Sequence, residues 1–116
     1  MFVEKPWGYE IIWAKTDKYV GKILKIHPAC KLSLQYHEKK TETIYVNQGI
    51  LELHLVDSNT KETKIVRLFK SQSYHIPAGT IHRFASPIDG DGVELVEVST
   101  PELDDVVRLQ DDYGRT

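Results

Sequence analysis

Residues 74–84 read YHIPAGTIHRF. Pro77 and Gly79 split this run into two extended halves, because proline fixes φ and glycine accepts the left-handed backbone of a tight turn. Beyond the turn, Thr80, His82 and Phe84 alternate with Ile81 and Arg83, so the first three share one face of a new strand. Arg83 then faces the other way, and a surface salt bridge is its expected role. The same grammar recurs along the chain. Runs suited to strands fall at 10–13, 19–26, 32–36, 43–46, 50–56, 63–69, 73–76, 82–85 and 93–98. HPACK, NQG, DSNTKE, PAG and SPIDGDG separate them, each supplying Gly, Pro, Asn or Asp for a bend. Many short strands at such spacing predict an all-β sandwich or small barrel. Leu51, Leu53 and Leu55 alternate with Glu52 and His54, which assigns an inner and an outer face. The tail TPELDDVVRLQDDYGRT fits either a short helix or an extended arm.

The chain of 116 residues is long enough for one domain with its own core. A formal charge of −2 supplies no basic footprint, so nucleic acid is not an expected partner. Cys30 is the only cysteine, which excludes an intrachain disulfide and a cysteine-based zinc site, and fits a reducing, cytoplasmic setting. MFVEKPWGYEIIWAK at the start is broken by charges and reads as neither signal peptide nor membrane span, so no membrane partner is expected.

A second stretch, LQYHEKKTE at 34–42, places Gln35 and His37 on one face of a strand, with Glu42 following. If the strand carrying His82 lies beside this one, Gln35, His37, Glu42 and His82 can converge. Two imidazoles, a carboxylate and an amide oxygen make a mixed N/O set for a divalent first-row metal. Histidines beside glutamates also occur on ordinary solvent-facing strands, and that reading stands beside the metal one.

Q-x-H-x4-E-x6-G, from Gln35 to Gly49, followed by P-x-G-x2-H, from Pro77 to His82, resembles the two signature motifs of the cupin superfamily. The usual first motif begins with histidine; here Gln35 stands in that place, as in the phosphomannose isomerase branch. KPWGYE at 5–10 and VVRLQDDYGR at 106–115 resemble the flanks of the cupin domain found at the C-terminus of bifunctional mannose-1-phosphate guanylyltransferase/mannose-6-phosphate isomerases. Those relatives often carry HHHRAE where this chain has HEKKTE, so Glu38 and Lys39 depart from the pattern. The resemblance implies one cupin domain over 1–116, a double-stranded β-helix (jelly-roll) barrel, and usually a homodimer. It also implies one divalent metal held by Gln35, His37, Glu42 and His82, with zinc favoured and manganese, iron, cobalt or nickel compatible.

The implied activity is aldose–ketose isomerisation of a sugar phosphate, with mannose 6-phosphate and fructose 6-phosphate as the pair. Glu42 and Lys22 are the candidate catalytic groups, though neither is an obvious base. Lys22 shares a face with Leu24 and Ile26, an awkward place for an amine unless it meets an anion, so it is also a candidate substrate contact. Ser33, on the face of Gln35 and His37, can bond a sugar hydroxyl or simply face solvent. Arg115 can return as an arm to bind phosphate or remain part of a loose terminus. His27 and His54 read as surface residues, His75 as more often outside the pocket, and Trp7 and Trp13 as packing or dimer anchors. Tyr36 and Tyr45 flank the first motif and read as core packing or as rimming the mouth. The alternatives from other classes are an O₂-dependent dioxygenase and a non-catalytic sugar-binding or regulatory cupin.

Overall fold

The structure, a computed structural model, describes residues 1–111. Eleven strands appear in these residues, and no helix: β1 (Phe2–Lys5), β2 (Gly8–Lys15), β3 (Val20–Ile26), β4 (Leu34–Tyr36), β5 (Glu42–Gln48), β6 (Leu51–Val56), β7 (Thr63–Leu68), β8 (Ser73–Ile76), β9 (Ile81–Ala85), β10 (Val93–Ser99) and β11 (Val107–Gln110). None of the described residues therefore forms a helix long and apolar enough to cross a membrane. The strands form a six-stranded sheet in the order β1-β2-β3-β10-β5-β8 and a five-stranded sheet in the order β11-β4-β9-β6-β7. Neighbours are antiparallel throughout, and the two sheets face each other as a jelly roll.

Nine strands were expected from the pattern, and the extra two lie at the ends. Phe2–Lys5 is too short to display a period of its own and is recruited by pairing with β2. The tail proves extended: Val107–Gln110 pairs with β4. Two side-chain expectations also change. Arg83 is buried, its Nε donating to Leu32 O at 2.8 Å and its guanidinium to Gln110 O at 3.3 Å. These bonds to carbonyls help hold it inside, so it does not sit on the surface. Tyr45 is exposed on the outer face of the six-stranded sheet, because Ile44 and Val46 take the inward positions of β5.

What positions the site is a gradient along the inner faces. Ile26 and Leu24 on β3, Val46 and Ile44 on β5, and Val93 and Leu95 on β10 are all buried in the core. The next inward positions along these strands are Lys22, Glu42 and Glu97. Because β3 and β5 both run antiparallel to β10, these polar positions meet at one end of the barrel. One end is thus a closed apolar plug, and the other a polar mouth.

The outer face of the same sheet is unusually apolar. Phe2, Ile11, Ile23, Val96 and Tyr45 stand in successive register across five strands. Trp13 sits at a bulge on β2 and lies over Gly21, where an added Cβ would fall 2.5 Å from its ring. A side chain at position 21 would have to displace the Trp13 ring.

Gly79, in the PAG turn, has φ of +84°, and its N–H donates to His37 O at 2.7 Å. This bond ties the two motif segments together. Open space surrounds the position of an added Cβ. Gly79→Ala should therefore cost about 1–2 kcal/mol from backbone strain alone, read as a lowered urea midpoint with an unchanged slope. An unshifted midpoint would refute the positive φ.

Candidate metal centre

β4 and β9 meet at a single register pair, Gln35 opposite His82. Directly opposed residues project to the same face, so both side chains enter the polar mouth. Arg108 on β11 stands opposite Gln35 in turn, completing a row of Arg108, Gln35 and His82 across three strands. From the facing sheet comes Glu42, the first residue of β5 and 3% exposed.

Glu42 Oε1 lies 3.3 Å from His82 Nε2 and 3.9 Å from His37 Nε2. The ligand atoms of His37, Glu42 and His82 all fall within 4.8 Å of one another. Each ring has its other nitrogen engaged with a carbonyl: His82 Nδ1 with Thr80 O at 2.8 Å, and His37 Nδ1 with Asp105 O at 2.5 Å. A neutral imidazole so engaged donates from Nδ1 and turns the Nε2 lone pair inward. The short contacts to Glu42 are then lone pair against lone pair, and His37 Nε2, His82 Nε2 and Glu42 Oε1 are all buried without a hydrogen-bond partner. Three converging buried acceptors are costly unless a cation joins them. This donor set fits a divalent first-row ion.

The electrostatics favour the ligand forms. Burial pushes the His37 imidazole below its ordinary pKa and outweighs the stabilising carbonyl of Asp105, so the ring stays neutral near pH 7. Burial alone would raise Glu42, but His82 beside one oxygen, in its protonated form, and Lys40 beside the other hold the carboxyl well below the usual range. Lys40 Nζ sits 3.3 Å from Glu42 Oε2 and 3.5 Å from Glu97 Oε2, bridging two buried carboxylates. Glu97 is raised to about 7 by burial first and by its neighbour Glu42 second.

A second charged chain crosses the cavity floor. Glu10 accepts Lys22 at 2.9 Å and Lys5 at 3.2 Å. Burial opposes its ionisation, yet the two lysines prevail and its pKa is lowered. Lys22 stands opposite Glu97 in the β3–β10 register, so the two chains adjoin. The cavity, open at the mouth, measures about 590 Å³, and Trp7, Leu24, Phe84 and Val106 supply its apolar wall.

Of the residues singled out in the sequence, Lys22, Ser33, Gln35, His37 and Glu42 line this cavity. His82 joins His37 and Glu42 in the cluster that could hold a metal ion. Ser33 is buried, and its hydroxyl donates to Gln35 Oε1 at 2.6 Å, orienting the amide. Arg115 lies outside the described residues. His75 turns outward to Thr43. Glu38 and Lys39, which depart from the histidine-rich pattern, are exposed. Glu10, Lys40, Glu97, Asp105 and Arg108 were missed. The first and third were readable, because each falls on an inward row by the argument that marked Lys22.

The sequence family described as "Mannose-6-phosphate isomerase C-terminal" matches residues 1–111. The chain belongs to that family. Xanthan biosynthesis protein XanB of Xanthomonas campestris is 32% identical over 117 residues, 98% of this chain and 24% of that protein. Mannose-1-phosphate guanylyltransferase of Escherichia coli K12 is 35% identical over 116 residues, 97% of this chain and 23% of that protein. The chain thus spans about a quarter of the length of these curated relatives. Among solved structures, CapF of Staphylococcus aureus superposes with a TM-score of 0.82 at 17% identity, covering 95% of this chain and 31% of that one. Oxalate decarboxylase of Bacillus subtilis gives 0.77 at 16%, covering 94% and 30%. KdgF of Halomonas gives 0.76 at 20%, covering 90% and 89%. The fold of this mannose-6-phosphate isomerase C-terminal family member is the cupin barrel.

The raised Glu97 predicts a pH dependence. A group whose folded pKa exceeds its unfolded value of 4.5 stabilises the fold at low pH and loses that contribution as pH rises through about 7. The opposing effect of His37 is largely complete above its unfolded value of 6.5. Metal-free protein should therefore lose stability from about pH 4.5 upward, with at most about 1 kcal/mol of the loss left between pH 6.5 and 8, and Glu97→Gln should flatten the curve. Equal slopes in both proteins would exclude a protonated Glu97.

Proposed function

We propose that this domain is a metal-dependent sugar-phosphate isomerase site, interconverting mannose 6-phosphate and fructose 6-phosphate. The observation that carries the reading is the trio of unpartnered ligand atoms at the polar end of a cavity also lined by Lys22 and Arg108. Family membership supplies the substrate class. His37, Glu42 and His82 would hold the ion, with the Gln35 amide oxygen as a fourth donor; zinc is the first choice among zinc, manganese, iron, cobalt and nickel. When bound, the ion supplies Lewis-acid stabilisation of the negative charge that develops on the sugar oxygens as the enediol forms.

The chain's own residues do the rest. Lys22 and Arg108 bind the phosphate, Arg108 with a buried Nε that has no hydrogen-bond partner. Ser33 keeps the Gln35 amide oriented. The proton that moves between the two sugar carbons needs a carrier. Glu42 has one oxygen in the ligand cluster and the other on Lys40, while Lys22 is ion-paired with Glu10. Glu97 lines the cavity with a pKa near 7, the range in which a carboxyl both takes and gives a proton at neutral pH. We assign the proton to Glu97 and leave Lys22 the role of anion contact.

A homodimer is part of the proposal. The apolar row from Phe2 to Tyr45, with exposed Trp13 and Val98 beside it, is a face suited to a second copy of this chain.

Purified protein should carry about one equivalent of divalent metal and turn over mannose 6-phosphate. His82→Ala should lose the metal and lower kcat by more than about 100-fold, since it removes a strong ligand from the acidic centre. Full turnover by metal-stripped wild type would sink the reading, and metal without turnover would leave a binding role. In sedimentation analysis the wild type should run as a dimer and Trp13→Glu as a folded monomer. A wild type that remains monomeric at high concentration would remove the dimer.

A further inference from the structure

We propose that Asp105, in the connection between β10 and β11, is the positioning residue for the metal ligand His37 and for the loop that joins it to Glu42. The inference rests on the metal reading of that cluster. Asp105 acts twice. Its carboxylate accepts three successive amides of the loop: Glu38 N to Oδ1 at 3.1 Å, and Lys39 N and Lys40 N to Oδ2 at 2.7 and 2.9 Å. Its main-chain oxygen accepts His37 Nδ1–H at 2.5 Å. One residue thereby fixes which ring nitrogen of His37 faces the cluster and the path by which the chain reaches Lys40.

The arrangement is directional. Three N–H groups converging on one carboxylate form a nest that pins the carboxylate, and a pinned side chain holds its own carbonyl in place. The connection is itself internally bonded, with Leu103 N donating to Pro101 O and Val106 N to Asp104 O. Asp105 is therefore presented on a shaped turn. Lys40 follows as a consequence, since its ammonium reaches Glu42 and Glu97 only when the loop before it is held. Glu38 and Lys39 are exposed, so their amides can turn to water when the carboxylate is removed, and the barrel need not unfold.

The molecule contains its own control. His82 draws its tautomer from Thr80 O, two residues away in its own turn, with no contribution from Asp105. Removing the Asp105 carboxylate should disturb His37 and spare His82, which general loosening of the fold would not do. In the metal-free protein, long-range 15N–1H spectra of the histidine rings should show both rings in the Nδ1–H form. Asp105→Ala should move His37 to a mixture of tautomers while His82 is unchanged. Zinc affinity, measured by chelator competition, should fall by roughly 10–100-fold, the usual range for loss of a residue that orients a ligand. Asp105→Asn, which keeps one acceptor oxygen, should fall between the two, and circular dichroism should show all three proteins folded. An unchanged His37 tautomer would overturn the inference, as would His37 and His82 shifting together. If the wild type takes up no zinc, the metal reading fails, while the tautomer spectra still decide whether Asp105 sets His37.

Discussion

The structure depends on one buried carboxylate. Glu42 opens β5 at the junction between the closed core and the polar mouth, with Ile44 and Val46 following it inward. A lone carboxylate in such a place is strongly unfavourable. Lys40 offsets part of that cost by supplying charge to one oxygen, while two imidazoles flank the other. The two rings are turned to present lone pairs, so the second oxygen stays unsatisfied by the protein alone. A site organised in this way is compatible with a bound cation.

The barrel explains how residues so far apart in sequence reach that carboxylate. His37 precedes Glu42 by one short loop, whereas His82 arrives through the β4–β9 register pair and Asp105 through the connection after β10. Gly79 stitches the second motif onto His37 O, so the two halves of the ligand set are fixed relative to each other by a backbone bond. The solved structures compared share this fold at 20% identity or less, so the fold itself tolerates wide change in sequence. The chemistry lies in the few inward positions that break the alternation.

Much of this was legible before any coordinates. Period-2 alternation in LELHL and turn chemistry in PAG gave the strands and the bend, because both are local signals. Lys22 was noticed because a charged residue on an apolar row demands a partner, and the same logic applied to Glu97 in VELVEVS and to Glu10 would have exposed both. Lys40 was not legible: in EKKT nothing periodic separates the buried lysine from its exposed neighbour Lys39. Asp105 and Arg108 depend on pairings with residues more than sixty positions away, a relation that no local pattern encodes. Arg83 misled for a related reason. Its alternation correctly turned it away from His82, but the far side of β9 is covered by the chain around Leu32 and by the end of β11.

Charge balance links the candidate centre to the proposed ligand. The charged side chains lining the cavity are Lys5, Lys22, Lys40 and Arg108 against Glu10, Glu42, Glu97 and Asp104, four of each sign. A neutral His37 adds nothing to that balance. The cavity alone is thus poised near neutrality, or slightly positive when Glu97 is protonated, and has no strong preference for an anion. A divalent cation in the ligand cluster tips it to an excess of about two positive charges, the complement of a phosphate dianion. On the proposed function, metal and sugar phosphate would be electrostatically coupled even without direct contact, and by reciprocity each would raise the affinity of the other. The pairing of Glu10 with Lys5 and Lys22 gains a purpose on this view: it keeps the lysines ordered inside the cavity without the anion, so that phosphate meets a prearranged cationic wall instead of recruiting one.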